Sequence, residues 1–270
     1  MNIFITIFTF ILILLTYLHF MNEFKYVSGF SIYDIEYSSR KDLQKICELK
    51  QPFVFNLELR SADVIDKEQN MCVFDNSNNE YVTIPYTSME QLVSKDKNGI
   101  YYSMNNHDFA KNVLVTEFSE LNSFIQPYFS SNNTYDILMG AKDAYTPLRC
   151  MKKSGLYLFV KQGSLSLKIH TFDKDLDDSM CLWDVSHNYQ SQDVLIYQNQ
   201  VVYIPTWCYY TMKFDASTII YSVSYESPTN IIINLPETIV NYLQQQNTEE
   251  KVLKTIEIEE EDINAVDDEK

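Results

Sequence analysis

Residues 133–171 read NTYDILMGAKDAYTPLRCMKKSGLYLFVKQGSLSLKIHT, and this stretch decides the fold. An extended run leads to Gly140, a polar turn follows, and two alternating segments, 155–161 and 164–171, meet at Gln162-Gly163. Apolar and polar residues alternating on either side of a Gly turn form the pattern of a β-hairpin with one buried face. The pattern continues downstream. Segments 193–197 and 200–205 flank a turn at Gln198-Asn199, and 207–214 and 217–225 flank Asp215-Ala216. The apolar run 230–235 is expected to close the sheet, with Pro236 starting a helix over 237–246.

Upstream, the reading is mixed α/β. Residues 26–39 form an extended lead-in, and Ser39, with Asp42 three positions on, is an N-cap for a short helix through residue 49. Residues 52–59 alternate around a buried face, 61–79 are polar and are expected to hold a short helix and a loop, and 80–86 read as a strand. Helices are expected over 88–97, from 105–109 onward, and over 119–128. The fold class is therefore mainly β with accessory helices.

The central stretch resembles the cupin or JmjC-like family, a double-stranded β-helix (jelly roll) whose opening reads Gly-Ser/Ala-x-x-x-x-Thr-Pro-Leu-His-x-Asp. Here it is Gly140-Ala141, then Thr146-Pro147-Leu148-Arg149-Cys150-Met151. The family's later Ile-Pro-x-Trp-Trp-x-His block is matched by Ile204-Pro205-Thr206-Trp207-Cys208-Tyr209-Tyr210. The resemblance covers residues 45–235, including a Gln51-Pro52 strand opening. It is similar in particular to membrane-anchored JmjC-like proteins of large DNA viruses, which share the apolar N-terminus and an Arg in the Thr-Pro-x-His position.

The resemblance implies an Fe(II) facial triad, and the sequence lacks its letters. Arg149 stands at the first His, Met151 at the carboxylate and Tyr210 at the second His, and the 2-oxoglutarate-anchoring Lys falls near Leu165. A guanidinium held about 4 Å from a divalent ion is repelled by roughly 8 kcal/mol at an effective dielectric of about 20. No metal, cofactor or catalytic residue is therefore expected. Of the four His, His170 and Asp173 point to opposite strand faces, His187 is in a loop, His107 precedes the core and His19 is in the apolar N-terminus; each reads as a surface or hydrogen-bonded residue. Two readings of Arg149 remain open. It either anchors an anionic ligand in a pocket formed with Met151, Trp207, Tyr209 and Tyr210, or pairs with a nearby acid in an inert core.

Residues 3–21, from Ile3 to just past Phe20, contain no Asp, Glu, Lys or Arg and would extend about 28 Å as a helix at about 1.5 Å per residue, the apolar thickness of a bilayer. A cleaved signal peptide would bring a basic start and a small-residue cleavage site, and a buried helix would carry a polar face; neither is present. The expectation is a single-pass membrane anchor. Lys25, Arg40 and Lys41 behind it place the body on the cytoplasmic side, and Asn132, in the sequon Asn132-Asn133-Thr134, is a glycosylation acceptor only if the body is lumenal.

The formal net charge is -16, which disfavours general nucleic-acid binding, and no nucleic-acid partner is expected. Residues 249–270 hold ten acids and three bases, net -7, so nearly half of the excess lies in an acidic tail read as disordered. The body retains basic residues at Arg149, Lys152, Lys153 and Lys161. Cys47, Cys72, Cys150, Cys181 and Cys208 are widely spaced without a CxxC pair and read as reduced, buried thiols. The organisation is an anchor (1–22), an α/β lead-in (23–130), a roll with a C-terminal helix (131–247) and the tail (248–270). The function implied is a non-catalytic membrane-anchored module with a protein partner, or with a second copy as a homodimer. The alternatives are a receptor for a small anion at Arg149, and an Fe(II)/2-oxoglutarate oxygenase with unusual ligands.

Overall fold

A computed structural model describes residues 2–23, 31–59, 69–76, 80–170, 191–247 and 256–257. The chain begins with an apolar helix, α1 (Asn2–Glu23), whose side chains from Ile3 to Leu18 are exposed. The lead-in supplies β1 (Tyr33–Asp34), α2 (Arg40–Cys47), β2 (Phe53–Asn56), β3 (Asn70–Asp75), β4 (Glu80–Pro85), α3 (Tyr86–Lys95), β5 (Tyr101–Ser103), α4 (His107–Val113) and α5 (Val115–Ile125). Eight strands follow: β6 (Asn132–Gly140), β7 (Arg149–Cys150), β8 (Gly155–Gln162), β9 (Ser164–His170), β10 (Ser191–Tyr197), β11 (Gln200–Pro205), β12 (Tyr209–Phe214) and β13 (Thr218–Glu226). Then come α6 (Pro228–Asn247) and β14 (Ile256–Glu257).

Among the described residues these strands form a mixed sheet in the order β1-β2-β11-β8-β13-β6-β5-β3-β4-β14 and a second sheet in the order β10-β9-β12-β7. Consecutive strands from β6 to β9 alternate between the two sheets, as do β10 to β13. The central pairings are antiparallel, with Tyr221 opposite both Phe159 and Ile137. Leu165, Leu167, Ile169, Met212 and Phe214 from the smaller sheet join Ile137, Met139, Phe159, Val201 and Val223 from the larger in one buried cluster. The two sheets thus bury their apolar faces together. They approach closely at Gly140, where an added Cβ would lie 2.2 Å from the Phe214 ring.

Turn chemistry follows the sequence. Gly163 takes φ 82° between β8 and β9, and Asn199 takes φ 64° between β10 and β11, a conformation Asn tolerates better than most residues. Ser39 caps α2, its Oγ accepting from the Asp42 N–H at 3.2 Å. Pro85 precedes α3, which begins at Tyr86 and ends at Lys95, two residues earlier at each end than the pattern suggested.

Three expectations are corrected. Segment 230–235 is not a strand: α6 runs from Pro228 through Asn247 with Pro236 inside it. The deciding signal is Ser227-Pro228. The Ser227 Oγ accepts from the Asn230 N–H at 3.1 Å, while Pro at the first helical position gives up a hydrogen bond that is unmade there anyway. Polar 61–79 contains β3, whose Met71 and Val73 are buried between β4 and β5. The strand at 53–56 does not alternate, because Phe53, Val54 and Phe55 are all buried. Phe53 stacks on Tyr203 at 4.8 Å and Phe55 on Tyr37 at 5.8 Å.

Residues 61–68 of the segment expected to hold a short helix and a loop, the connection after Thr171 with His187 and Cys181, the first part of the lead-in and most of the acidic tail lie outside the described residues. Cys47, Cys72, Cys150 and Cys208 are free thiols. Burial pushes Cys208 up to about 12 and Cys47 up to about 11, so both stay protonated at neutral pH.

Candidate functional site

The Thr146-Pro147-Leu148-Arg149 run is zipped onto β12. Thr146 N–H donates to Met212 O at 2.9 Å, and the Met212 N–H returns to Thr146 Oγ1 at 3.1 Å. Farther along, Arg149 pairs with Tyr210 across β7 and β12, the Met151 N–H donates to Cys208 O at 2.8 Å, and the Trp207 N–H donates to Met151 O at 2.6 Å. Backbone pairing therefore brings Arg149, Met151 and Tyr210, the three residues the resemblance set at the triad, to the wall of one cavity of about 520 Å³.

Trp207 and Tyr209 lie outside that wall. Trp207 occupies a left-handed turn at φ 60°, and its Nε1 donates to the Glu23 carbonyl at the end of α1, 3.0 Å away. Tyr209 is one residue out of phase with Tyr210, so it belongs to the opposite face of β12, across from His170 and Cys150.

Other residues complete the cavity. Asp136 from β6, His107 at the start of α4, and Lys152 and Lys153 after β7 all line it, so the expected basic residues converge except Lys161, which lies outside the lining. His107 turns its Nδ1 to the Tyr135 carbonyl at 2.8 Å. Asp136 accepts the backbone N–H of Asn105 at 2.9 Å and of Asn106 at 2.6 Å, holding Asn105 at φ 64° and fixing the start of α4. Burial raises the Asp136 carboxyl, opposed by His107, by those two amides and by Arg149. Burial also lowers the Lys153 ammonium, opposed by Glu226 and Asp136, while its Nζ donates to Thr134 Oγ1 at 2.5 Å.

Arg149 Nη2 approaches Met104 Sδ at 2.9 Å, a weak acceptor. Among the described residues no carboxylate lies within 4.0 Å of its guanidinium. The Tyr210 hydroxyl is raised by burial, with Arg149 opposing, and remains a phenol. A guanidinium, a thioether and a neutral phenol do not fit a ferrous ion, and among the described residues no three His, Cys, Asp or Glu come together as a ligand set. Leu165 is fully buried and paired with Phe214, four residues along β12 from Tyr210, and offers no anion anchor. What the cavity offers is a cationic wall above one engaged carboxylate.

His170 is neither a surface nor a hydrogen-bonded residue: it is buried, and neither ring nitrogen has a partner among the described residues. Asn132 is exposed at the start of β6, donating to Glu226 Oε2 at 2.6 Å. Ile3 is exposed on α1, and Phe20 is half-buried near its end. Asp136 and His107 were not legible as cavity residues, because β5–β6 pairing and the α4 turn bring them there; an acid within the apolar run 135–140 is the one linear hint.

No protein-family model matches the chain, and comparison with curated proteins gives no match.

Proposed function

We propose that this is a single-pass membrane protein whose body is a cupin-like (JmjC-like) jelly roll acting as a non-catalytic structural or interaction module. The observation that carries this reading is the cross-strand pairing of Arg149 with Tyr210 beside Met151. The wall where the resemblance would put a ferrous ion presents a fixed cation and two neutral groups. The alternation of β6–β9 and of β10–β13 between two facing sheets supports the roll. The exposed apolar α1 supports the anchor, and the charge asymmetry behind it favours a cytoplasmic body. As an interaction module it holds a protein partner or a second copy of itself, which sedimentation of the full chain in detergent would separate.

The test is iron content and 2-oxoglutarate turnover of the full chain in detergent, loaded anaerobically with Fe(II). Trace iron and no turnover is the expected result. Near-stoichiometric iron with turnover would establish the competing reading, an oxygenase with unusual ligands.

Among the described residues no carboxylate is within ion-pair reach of Arg149, which favours a second reading, a receptor for a small anion. A planar donor fork, with Lys152 and Lys153 nearby, suits a carboxylate, phosphate or sugar acid. Under this reading inorganic phosphate or a dicarboxylate raises the melting temperature by mass action, and Arg149→Met abolishes the rise. A rise unchanged in that variant would remove Arg149 from the site.

A further inference from the structure

Helix α6 presents its faces the opposite way from an ordinary surface helix. The side-chain amides of Asn230 and Asn234, one turn apart, both donate to the Lys152 carbonyl, at 3.0 and 2.9 Å, so the polar stripe faces the body. Ile231, Ile232, Leu235, Ile239, Val240 and Leu243 are between 38% and 56% exposed. At about 3.6 residues per turn, most of these fall on the side away from the two Asn. A soluble protein would bury such a stripe and turn the amides outward.

The place where α6 begins identifies what covers it. The Ser227 Oγ, which caps α6, also donates to Glu23 Oε1 at 2.8 Å, and Glu23 is the last residue of the apolar span α1. Helix α6 therefore starts at the point where α1 leaves the membrane. Beside that junction Phe129 and Tyr128 are 82% and 60% exposed, lining a shallow groove with His19, Asn22 and Ser227. Exposed aromatics at the end of a span are the usual furniture of a membrane–water interface.

We propose that α6 lies at the surface of the bilayer that α1 enters, with Ile232, Leu235, Ile239 and Leu243 against the acyl chains and Phe129 beside them. This rests on the reading of α1 as a membrane span. The helix carries no Lys or Arg, so its attachment depends on apolar contact and not on anionic lipid.

The test uses the full chain in phosphatidylcholine vesicles, an apolar diazirine that partitions into acyl chains, and mass-spectrometric mapping of the photolabel. Labelling of both α1 and residues 231–243, several-fold above α3, is the expected result. In a variant carrying Ile232→Ser, Leu235→Ser, Ile239→Ser and Leu243→Ser, α6 labelling falls to the α3 level while α1 labelling is unchanged. Label in α1 with none in α6 overturns this inference and leaves the anchor standing. Label in neither refutes the anchor as well. Protection of α6 by crosslinking to a second copy, without lipid label, assigns the stripe to a dimer and also overturns the proposal.

Discussion

Acidification is expected to weaken the two-sheet body through His170. The residue ends β9, opposite Ser191 on β10 and Tyr209 on β12, and it is 3% exposed. Burial, with Lys168 on the same strand face adding repulsion, lowers its imidazole from 6.5 to about 4. Among the described residues, Asp193, opposite Lys168 on β10, and Lys213 on β12 are the other charges on this face. The folded protein thus holds the ring neutral where the unfolded chain would protonate it. Stability is full above about pH 6.5 and is lost progressively as pH falls toward about 4. The whole shift corresponds to roughly 3 kcal/mol, and solvent screening of the Lys168 contribution brings the working figure to about 2 kcal/mol. The assay is urea unfolding of the full chain in neutral detergent at pH 7 and pH 4.5, beside His170→Leu. Leu fills a similar volume and removes two buried nitrogens that have no partner among the described residues, so the variant should match or exceed the native protein at pH 7 and lose distinctly less on acidification. Parallel losses in the two proteins would refute the assignment.

Three further outcomes follow from the packing. Gly140→Ala drives a Cβ into the Phe214 ring and should cost about 1–3 kcal/mol in chemical denaturation, with β6 shifting to relieve it. Ser39→Ala removes the cap on α2 and should cost about 1 kcal/mol, read as an equal fall in unfolding free energy without change of slope. Asp136→Asn leaves one of the Asn105 and Asn106 amides without its oxygen partner and should cost about 1–3 kcal/mol, with amide exchange speeding up first at the start of α4.

The strands of the two sheets were legible because their period and their turns agreed. Leu165, Leu167 and Ile169 alternate with polar residues, and Gly163 and Asn199 sit where the chain must take positive φ. The same logic misled at 230–235, where three consecutive Ile weigh toward a strand, while Ser227-Pro228 and the Asn230–Asn234 spacing carry the helix. Arg149, Met151 and Tyr210 could be grouped from the two blocks that flank them. Asp136 and His107 could not, since pairing across distant sequence delivers them. Trp207 was placed with the cavity because it neighbours Tyr209 and Tyr210, but a left-handed turn at that residue sends its indole to Glu23.

That indole contact has a mechanical consequence. Glu23 is held twice, by Trp207 at its carbonyl and by Ser227 at its carboxylate, so the body is mounted on α1 as a bracket and not hung from it as a pendant. A pendant samples many headings and meets ligands or partners from any direction. A bracket keeps the cavity mouth beside Arg149 at one bearing relative to α1. Breaking both contacts would convert the mount to a swivel without changing a single residue of the cavity wall.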